Sequence, residues 1–497
     1  MNPLAAQMPA LQVIVPMLMA PFVLLLPRGL SWAAAAAASL LAFGIAAQLT
    51  ATVIDSGPVA YQMGSWPAPY GIELSVDALS ALLLLVVTGA SSLALVGGRA
   101  SLAAAVGEDR EHYFYAAWLL ALAGLAGIAV SADAFNIFVF MEISSLASYV
   151  LVAGGPDRRA LPAVFKYLIM GTVGATFYLI GIGLIYMMTG TLNLADMELR
   201  IAEVADKEPI LAAAGFITVG LALKAAIFPL HVWLPNAYTY APHIATAFLA
   251  ACATKVSLYV LLRFDFFVFQ QNLSGHAFQF AAYLMPLAIL GILVGSGVAM
   301  FERNVKRLLA FSSVAQIGYI MLGASLVSIA GLTAATLHLF NHALAKGGLF
   351  LAIAALAPLA AGLRLKDMGG MARQAPWTFA AFVVAGLSLI GIPGTAGFVS
   401  KWYLVSAAMA LGAPGIALIG VVVLGSLMAV VYVWRIVESA CFGEPPENAA
   451  RSAAVPRPLG AAIWTAALAN VYFGIAPGLP LRLSSSAAAT LLGHVPA

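Results

Sequence analysis

The chain has 497 residues, 63% of them apolar and only 9% charged, with a mean hydropathy of +1.00. Soluble domains carry about 25% Asp, Glu, Lys and Arg, so a soluble globular protein is excluded and a polytopic membrane protein remains. The formal charge of +3 and two cysteines without CxxC spacing, Cys252 and Cys441, give no reason to expect a nucleic-acid partner, a disulfide framework, a zinc site or a cluster.

A bilayer core needs about 20 mostly apolar residues per helix. Such runs recur at 9–27, 32–54, 77–97, 112–130, 133–153, 162–189, 210–231, 242–264, 279–300, 307–328, 332–360, 377–407, 412–435 and 460–479. These fourteen spans predict an all-α fold and little else. The first lacks a basic leader ahead of it and reads as a retained span. The largest connections, 55–76, 190–209, 361–376 and 436–459, are too short for a soluble domain. A flavin or iron–sulfur centre would need another subunit, and no cofactor is expected here.

Lys and Arg set the orientation. With the N-terminus outside, the inner connections hold Arg28, Arg99, Arg110, Arg158, Arg159, Arg303, Lys306, Arg307, Arg364, Lys366, Arg373, Arg435, Arg451 and Arg457. The outer ones hold Arg200, Lys207, Arg263 and Arg482, alongside the acids Asp55, Glu73 and Asp77. Both termini are then expected outside, in a bacterial plasma membrane.

Several ionisable residues remain inside predicted spans. Glu142 stands alone in FNIFVFMEISSLASYVL; Lys166, Lys224 and Lys255 follow, then His338, His342, Lys346 and Lys401. A charge at bilayer depth costs about 2.5–3.5 kcal/mol on insertion scales. Lys166 lies near a span end, where snorkelling accounts for it. For Glu142, Lys224, Lys255 and Lys401 a structural ion pair is the plain alternative, yet one clear acid cannot neutralise several lysines. Burial without a full partner favours the neutral form of such groups, which suits them to exchanging protons.

The lysines also lie beside backbone breaks. In GLALKAAIFPLHVWLPNAY, Lys224 precedes Pro229, His231 and Pro235; in SLIGIPGTAGFVSKWYL, Gly391, Pro393, Gly394 and Gly397 precede Lys401. Proline removes a helical hydrogen bond and clashes with the preceding turn. Broken helices at membrane depth are tolerated where they line a polar cavity. His338, His342 and Lys346 follow at i, i+4 and i+8, a drifting stripe about 12 Å long. With no acid nearby and no HExxH arrangement, this stripe suits a proton relay better than a metal.

Spans 4–8 and 9–13 correspond weakly, each set carrying a Lys in its third member and a Pro break in its fourth. An odd-numbered unit repeated in tandem inserts its second copy upside down, as in many transporters. The division expected is 1–111 for three leading spans, 112–264 and 279–435 for the inverted units, and 436–497 for a closing loop and the fourteenth span.

FVFMEISSLASYVL, LKAAIFPLHVWLPNAY, AFLAACATKVSLYVLLRF, FSSVAQIGYIMLG, HLFNHALAKGGLFL and GIPGTAGFVSKW resemble the antiporter-like, proton-translocating subunits of respiratory complex I, membrane-bound hydrogenases and Mrp-type Na+/H+ antiporters. The resemblance runs from about 77 to 435. It implies that Glu142 pairs with Lys224, that Lys255 connects, that His338 relays and that Lys401 is the terminal lysine. It also implies broken seventh and twelfth spans. His342, Lys346 and His231 would be auxiliary, and His243 in YAPHIATAF replaces an expected small residue. The wording looks most like the Mrp D-type component, implying other membrane subunits as partners and a proton flow coupled to Na+ elsewhere. A pump module of a redox complex and a non-conducting scaffold are the alternatives.

Overall fold

Long apolar runs can satisfy their backbone in hydrocarbon only as helices, and short polar residues fix where those helices begin. Asp77, Asp133, Asn304 and Ser328 accept from the backbone N–H groups of Ser80, Asn136, Arg307 and Gly331 at 2.9, 2.7, 3.1 and 3.1 Å. Each satisfies one of the donors that a first turn leaves free. A computed structural model describes residues 3–273, 280–445 and 454–493.

The helices in chain order are α1 Pro3–Leu25, α2 Arg28–Ser56, α3 Ala78–Val106, α4 Glu111–Val130, α5 Ala134–Ala153, α6 Ala160–Thr189, α7 Leu194–Glu203, α8 Glu208–Ala225, α9 Leu234–Tyr240 and α10 His243–Leu262. After a π-helical stretch at Arg263–Phe269 come α11 Gln270–Leu273, α12 Phe280–Phe301, α13 Val305–Ala324, α14 Ile329–Leu356, α15 Met371–Gln374, α16 Pro376–Ile390, α17 Ala396–Met409, α18 Ala413–Phe442, α19 Arg457–Ile475 and α20 Gly478–Leu491. Among the described residues, thirteen helices are long and apolar enough to cross a membrane. The twelfth expected span, 377–407, is the pair α16 and α17, each half too short alone. The chain is a polytopic membrane protein.

Packing order repeats along the chain. In the first run α4 packs on α5, α5 on α6, and α6 on α8, which meets α10. In the second α12 packs on α13, α13 on α14, and α14 on both α16 and α17, which meet α18. Helices α10 and α14 touch directly and join the two runs.

Four expectations need correction. The seventh span does not end at 231: the chain turns over 226–233 and resumes as α9, because Pro235 is tolerated in a first helical turn. Helix is not quite all there is. β1 Val59–Gln62 pairs antiparallel with β2 Glu73–Val76, setting Val59 opposite Val76, and bridges Leu74–Ser131 and Asp133–Asn193 gather the neighbouring loops under this hairpin. Asp77 and Arg263 are not loop charges facing water. They form a 2.6 Å ion pair with side chains 9% and 12% exposed. Lys306 is fully buried in the first turn of α13, donating to the Ala241 carbonyl at 2.7 Å.

At the chain's end, α18 runs on to Phe442, and α20 is a further helix packed on α14 and α3. Arg451 lies outside the described residues, as does residue 279, where the ninth span was expected to begin. Six of the expected inner cations converge: Arg159, Arg303, Arg307, Arg364, Lys366 and Arg435 line one cleft.

Candidate functional site

The α8 break begins at Ala226, a non-glycine residue at φ +57°. The Ile227 N–H returns to the Ala222 carbonyl at 3.0 Å, and the Trp233 indole donates to the Leu223 carbonyl at 2.9 Å. Carbonyls freed by the turn are thereby satisfied. Lys224 sits in this last turn, where the negative end of the helix dipole favours a cation. Its Nζ lies 3.2 Å from Glu142 Oε1 on α5 and donates to Ser145 Oγ at 2.7 Å.

The two partners are buried unequally. The Lys224 side chain is 7% exposed, that of Glu142 29%. Glu142 shares its stripe on α5 with the exposed Phe135, Val139, Leu146 and Val150, an i, i+4, i+7, i+11, i+15 series. The carboxylate thus stands at the outer wall of the bundle and reaches inward to a buried ammonium. Close approach of α6 permits this: a Cβ on Gly174 would lie 2.8 Å from the Gly220 carbonyl and 3.2 Å from Lys224 Cγ.

A cavity of about 30 Å³ joins Lys224 to Ser144, Ser145, Ser148, Tyr167 and Ser257. It has room for about two waters. Across it lies the α10 turn Ala253–Ser257, which carries Lys255. Lys255 is fully buried, and its Nζ donates to the Ala250 carbonyl at 2.5 Å. Beyond it, α10 packs against α14, which carries His338, His342 and Lys346. Both His342 ring nitrogens are buried without a hydrogen-bond partner, while its ring stacks on His338 with centroids 6.3 Å apart.

His338 is held from two helices. Its Nδ1 lies 2.8 Å from Ser400 Oγ on α17 and its Nε2 lies 2.9 Å from Gln316 Oε1 on α13. Lys346 donates to the Leu309 carbonyl and to Ser312 Oγ, both at 2.5 Å. The second break repeats the logic of the first. Gly391, at φ +92°, ends α16, and Lys401 Nζ donates to the freed Ile390 and Leu389 carbonyls at 2.9 and 3.3 Å and to Ser426 Oγ at 3.0 Å. Lys401 also lies 4.5 Å above the Tyr319 ring, which contacts His338 edge-on at 5.6 Å. Pro393 and Gly394 lie in the turn between α16 and α17, and Pro229 in that between α8 and α9.

Most of the expected residues fall along one row that starts at the outer wall with Glu142 and continues through the buried Lys224, Lys255, His342, His338 and Lys401, with Lys346 beside it. Others stand apart. Lys166 is exposed on α6. His231, half-buried, stacks on Phe228 at 5.4 Å with Nδ1 unpartnered, and no hydrogen bond joins it to the row. His243 is half-buried at the start of α10, two residues beyond the Ala241 carbonyl that Lys306 contacts.

Sequence reasoning passed over the neutral partners Ser145, Ser312, Gln316, Tyr319 and Ser400. Ser312, Gln316 and Tyr319 follow i, i+4, i+7 spacing, a one-face signal available in FSSVAQIGYIMLG. It also passed over Asp265, whose buried Oδ1 accepts from Thr218 at 3.0 Å.

Residues 131–428 match the NADH:quinone oxidoreductase/Mrp antiporter transmembrane family. The chain belongs to it. Two curated relatives of this antiporter-like family carry different names. The N subunit of an NADH-quinone oxidoreductase from Desulforudis audaxviator (strain MP104C) is 42% identical, over 92% of this chain and 91% of that protein. The D subunit of a Na(+)/H(+) antiporter from Bacillus subtilis (strain 168) is 31% identical, over 83% and 82%. A chain in the solved Mrp complex from Dietzia sp. DQ12-45-1b superposes with a TM-score of 0.86 at 28% identity, over 99% of this chain and 98% of that one. The antiporter-like match includes Glu142, Lys224, Lys255, His338 and Lys401, so the whole row lies within the family region.

Proposed function

We propose that this antiporter-like subunit conducts protons along the row from Glu142 to Lys401 inside a multisubunit membrane complex. The observation that carries the reading is the Glu142–Lys224 pair: a half-open carboxylate on an outward stripe holding a buried lysine at 3.2 Å. While the pair is closed, the carboxylate stabilises the ammonium. When it turns toward a cation on a neighbouring subunit, Lys224 loses its counter-charge and releases its proton through the serine-lined cavity toward Lys255. His342 and His338 pass it on, and Lys401 exchanges it with one aqueous side. The groups titrate as a coupled set. The same reading divides the conductor into inverted units over 112–264 and 279–435.

The host complex proposed is an Mrp-type Na+/H+ antiporter, with Na+ crossing elsewhere. A second reading is favoured by the 42% likeness to an oxidoreductase N subunit: the same row would then serve a redox-driven pump. In vesicles carrying the complete complex, Glu142→Gln and Lys224→Ala should each abolish proton translocation while the subunits still co-purify. Wild-type rates in either variant reject the paired-charge mechanism. The host is decided by what co-purifies and by whether Na+ or a reduced electron donor elicits proton movement.

A further inference from the structure

The cleft at the arginine-rich end has a volume of about 630 Å³ and lies where the start of α6, the end of α9, the α12–α13 connection, the Leu365–Met368 turn and the end of α18 meet. Six cations line it, Arg159, Arg303, Arg307, Arg364, Lys366 and Arg435, against one carboxylate, Glu302. Some of this charge is used. Arg159 pairs with Asp157 at 2.6 Å and Arg307 with Glu302 at 3.3 Å. Arg435 donates to the backbone carbonyls of Met300 and Glu302. Among the described residues, Arg303, Arg364 and Lys366 belong to no ion pair. Like charges converging on one space repel, and a phosphate oxygen cluster is the partner that guanidinium forks suit best.

A second feature identifies what carries that phosphate. A groove of about 500 Å³, lined by Gly297, Val298, Phe301, Glu302 and Arg303, shares its last two residues with the cleft. Its remaining lining is apolar and outward-facing on α12, where Phe301 is 79% exposed. Gly297 borders it, and a Cβ there would meet only Met428 Cε, at 3.6 Å, so a larger side chain at this position would project into open space. A free phosphate would need the cleft alone, and an acidic protein surface has no use for an apolar groove along a membrane-crossing helix. We infer that cleft and groove together bind an anionic phospholipid, its phosphate among Arg303, Arg364 and Lys366 and an acyl chain along Gly297–Phe301. Basic pockets between transmembrane helices are physically suited to such headgroups. A lipid seated there would tie the ends of the two helix runs together.

The test is retention of added lipid by the purified, delipidated complex, measured by native mass spectrometry after exposure to phosphatidylglycerol or phosphatidylcholine vesicles. Phosphatidylglycerol should be retained and phosphatidylcholine lost. The double variant Arg303→Ala/Lys366→Ala should weaken retention about thirtyfold, the scale of two juxtamembrane cations. Gly297→Phe, which fills the groove and spares every charge, should also release the lipid. Equal retention of both lipids, or undiminished retention in the double variant, overturns the inference. So does displacement by inorganic phosphate with Gly297→Phe unaffected, which would mark a free-anion site. Another protein of the complex found seated across the cleft would overturn it as well.

Discussion

Asp77 shows how one residue can do two jobs that its sequence position hides. It caps α3 through the Ser80 N–H at 2.9 Å and pairs with Arg263 at 2.6 Å, a partner 186 residues away. Burial pushes its carboxyl up, but the Arg263 guanidinium and the Ser80 N–H together outweigh burial and hold it below the usual carboxylate range. A carboxyl depressed by folding contributes stability that is complete above its unfolded value of about 4 and is lost as pH falls through the lower folded value. Asp77→Ala strands a buried guanidinium, so the expected cost near neutrality is about 3–5 kcal/mol. The gap in thermal midpoint between wild type and variant should be flat above about pH 5 and close on acidification below about pH 4. A gap that persists unchanged to lower pH would mean that the carboxylate is not what stabilises. In the sequence, Asp77 and Arg263 look like two solvated loop charges, because pairing over that separation leaves no local trace. Glu142 and Lys224, by contrast, were legible singly, since nothing near either one in the chain could neutralise it.

At the scale of elements, the two breaks share one device: a left-handed residue stops a helix and a lysine occupies the carbonyl end so exposed. Gly391 and Gly394 separate the contributions of backbone and side chain. Both have positive φ, +92° and +86°, so an alanine meets similar backbone strain at each. Only at Gly391 does the new Cβ meet the lysine, 2.9 Å from Lys401 Cδ; at Gly394 nothing lies within 4 Å. Gly391→Ala should therefore slow proton translocation about tenfold beyond Gly394→Ala, with both variants still assembled, since displacing an exchanging group by a fraction of an ångström is costly. Equal effects in a vesicle assay would show that the break, and not the seating of Lys401, sets the rate. The breaks themselves were readable from Pro229, Pro393 and their glycines. How the chain resumes was not: Pro235 reads as a second interruption, although a proline in the first turn is compatible with starting α9. The β-hairpin was invisible for a related reason, since four-residue strands give too few alternations to register.

Over the whole molecule, the interior row passes from α5 and α8 through α10 into α14 and ends on α17, so it crosses from the first run of helices into the second at the α10–α14 contact. Its order in space follows from packing and could not be taken from the order of residues in the chain. Two arrangements of such a row make different demands. If the two runs carried protons independently, a block at one lysine would leave the other route open, and flux would fall to about half. If they form one series conductor, either block alone stops it. The packing favours series transport: the α10 turn that carries Lys255 borders the Lys224 cavity, α10 packs on α14 with its His342–His338 pair, and Lys401 adjoins that pair through Tyr319 and through Ser400, its neighbour in the chain. Lys224→Met and Lys401→Met should each reduce translocation to background in assembled complexes, and the double variant should be no worse than either single one, as expected for residues acting as a unit. A single variant that keeps about half the flux, with the double variant losing the rest, would establish two parallel routes and break the row between α10 and α14.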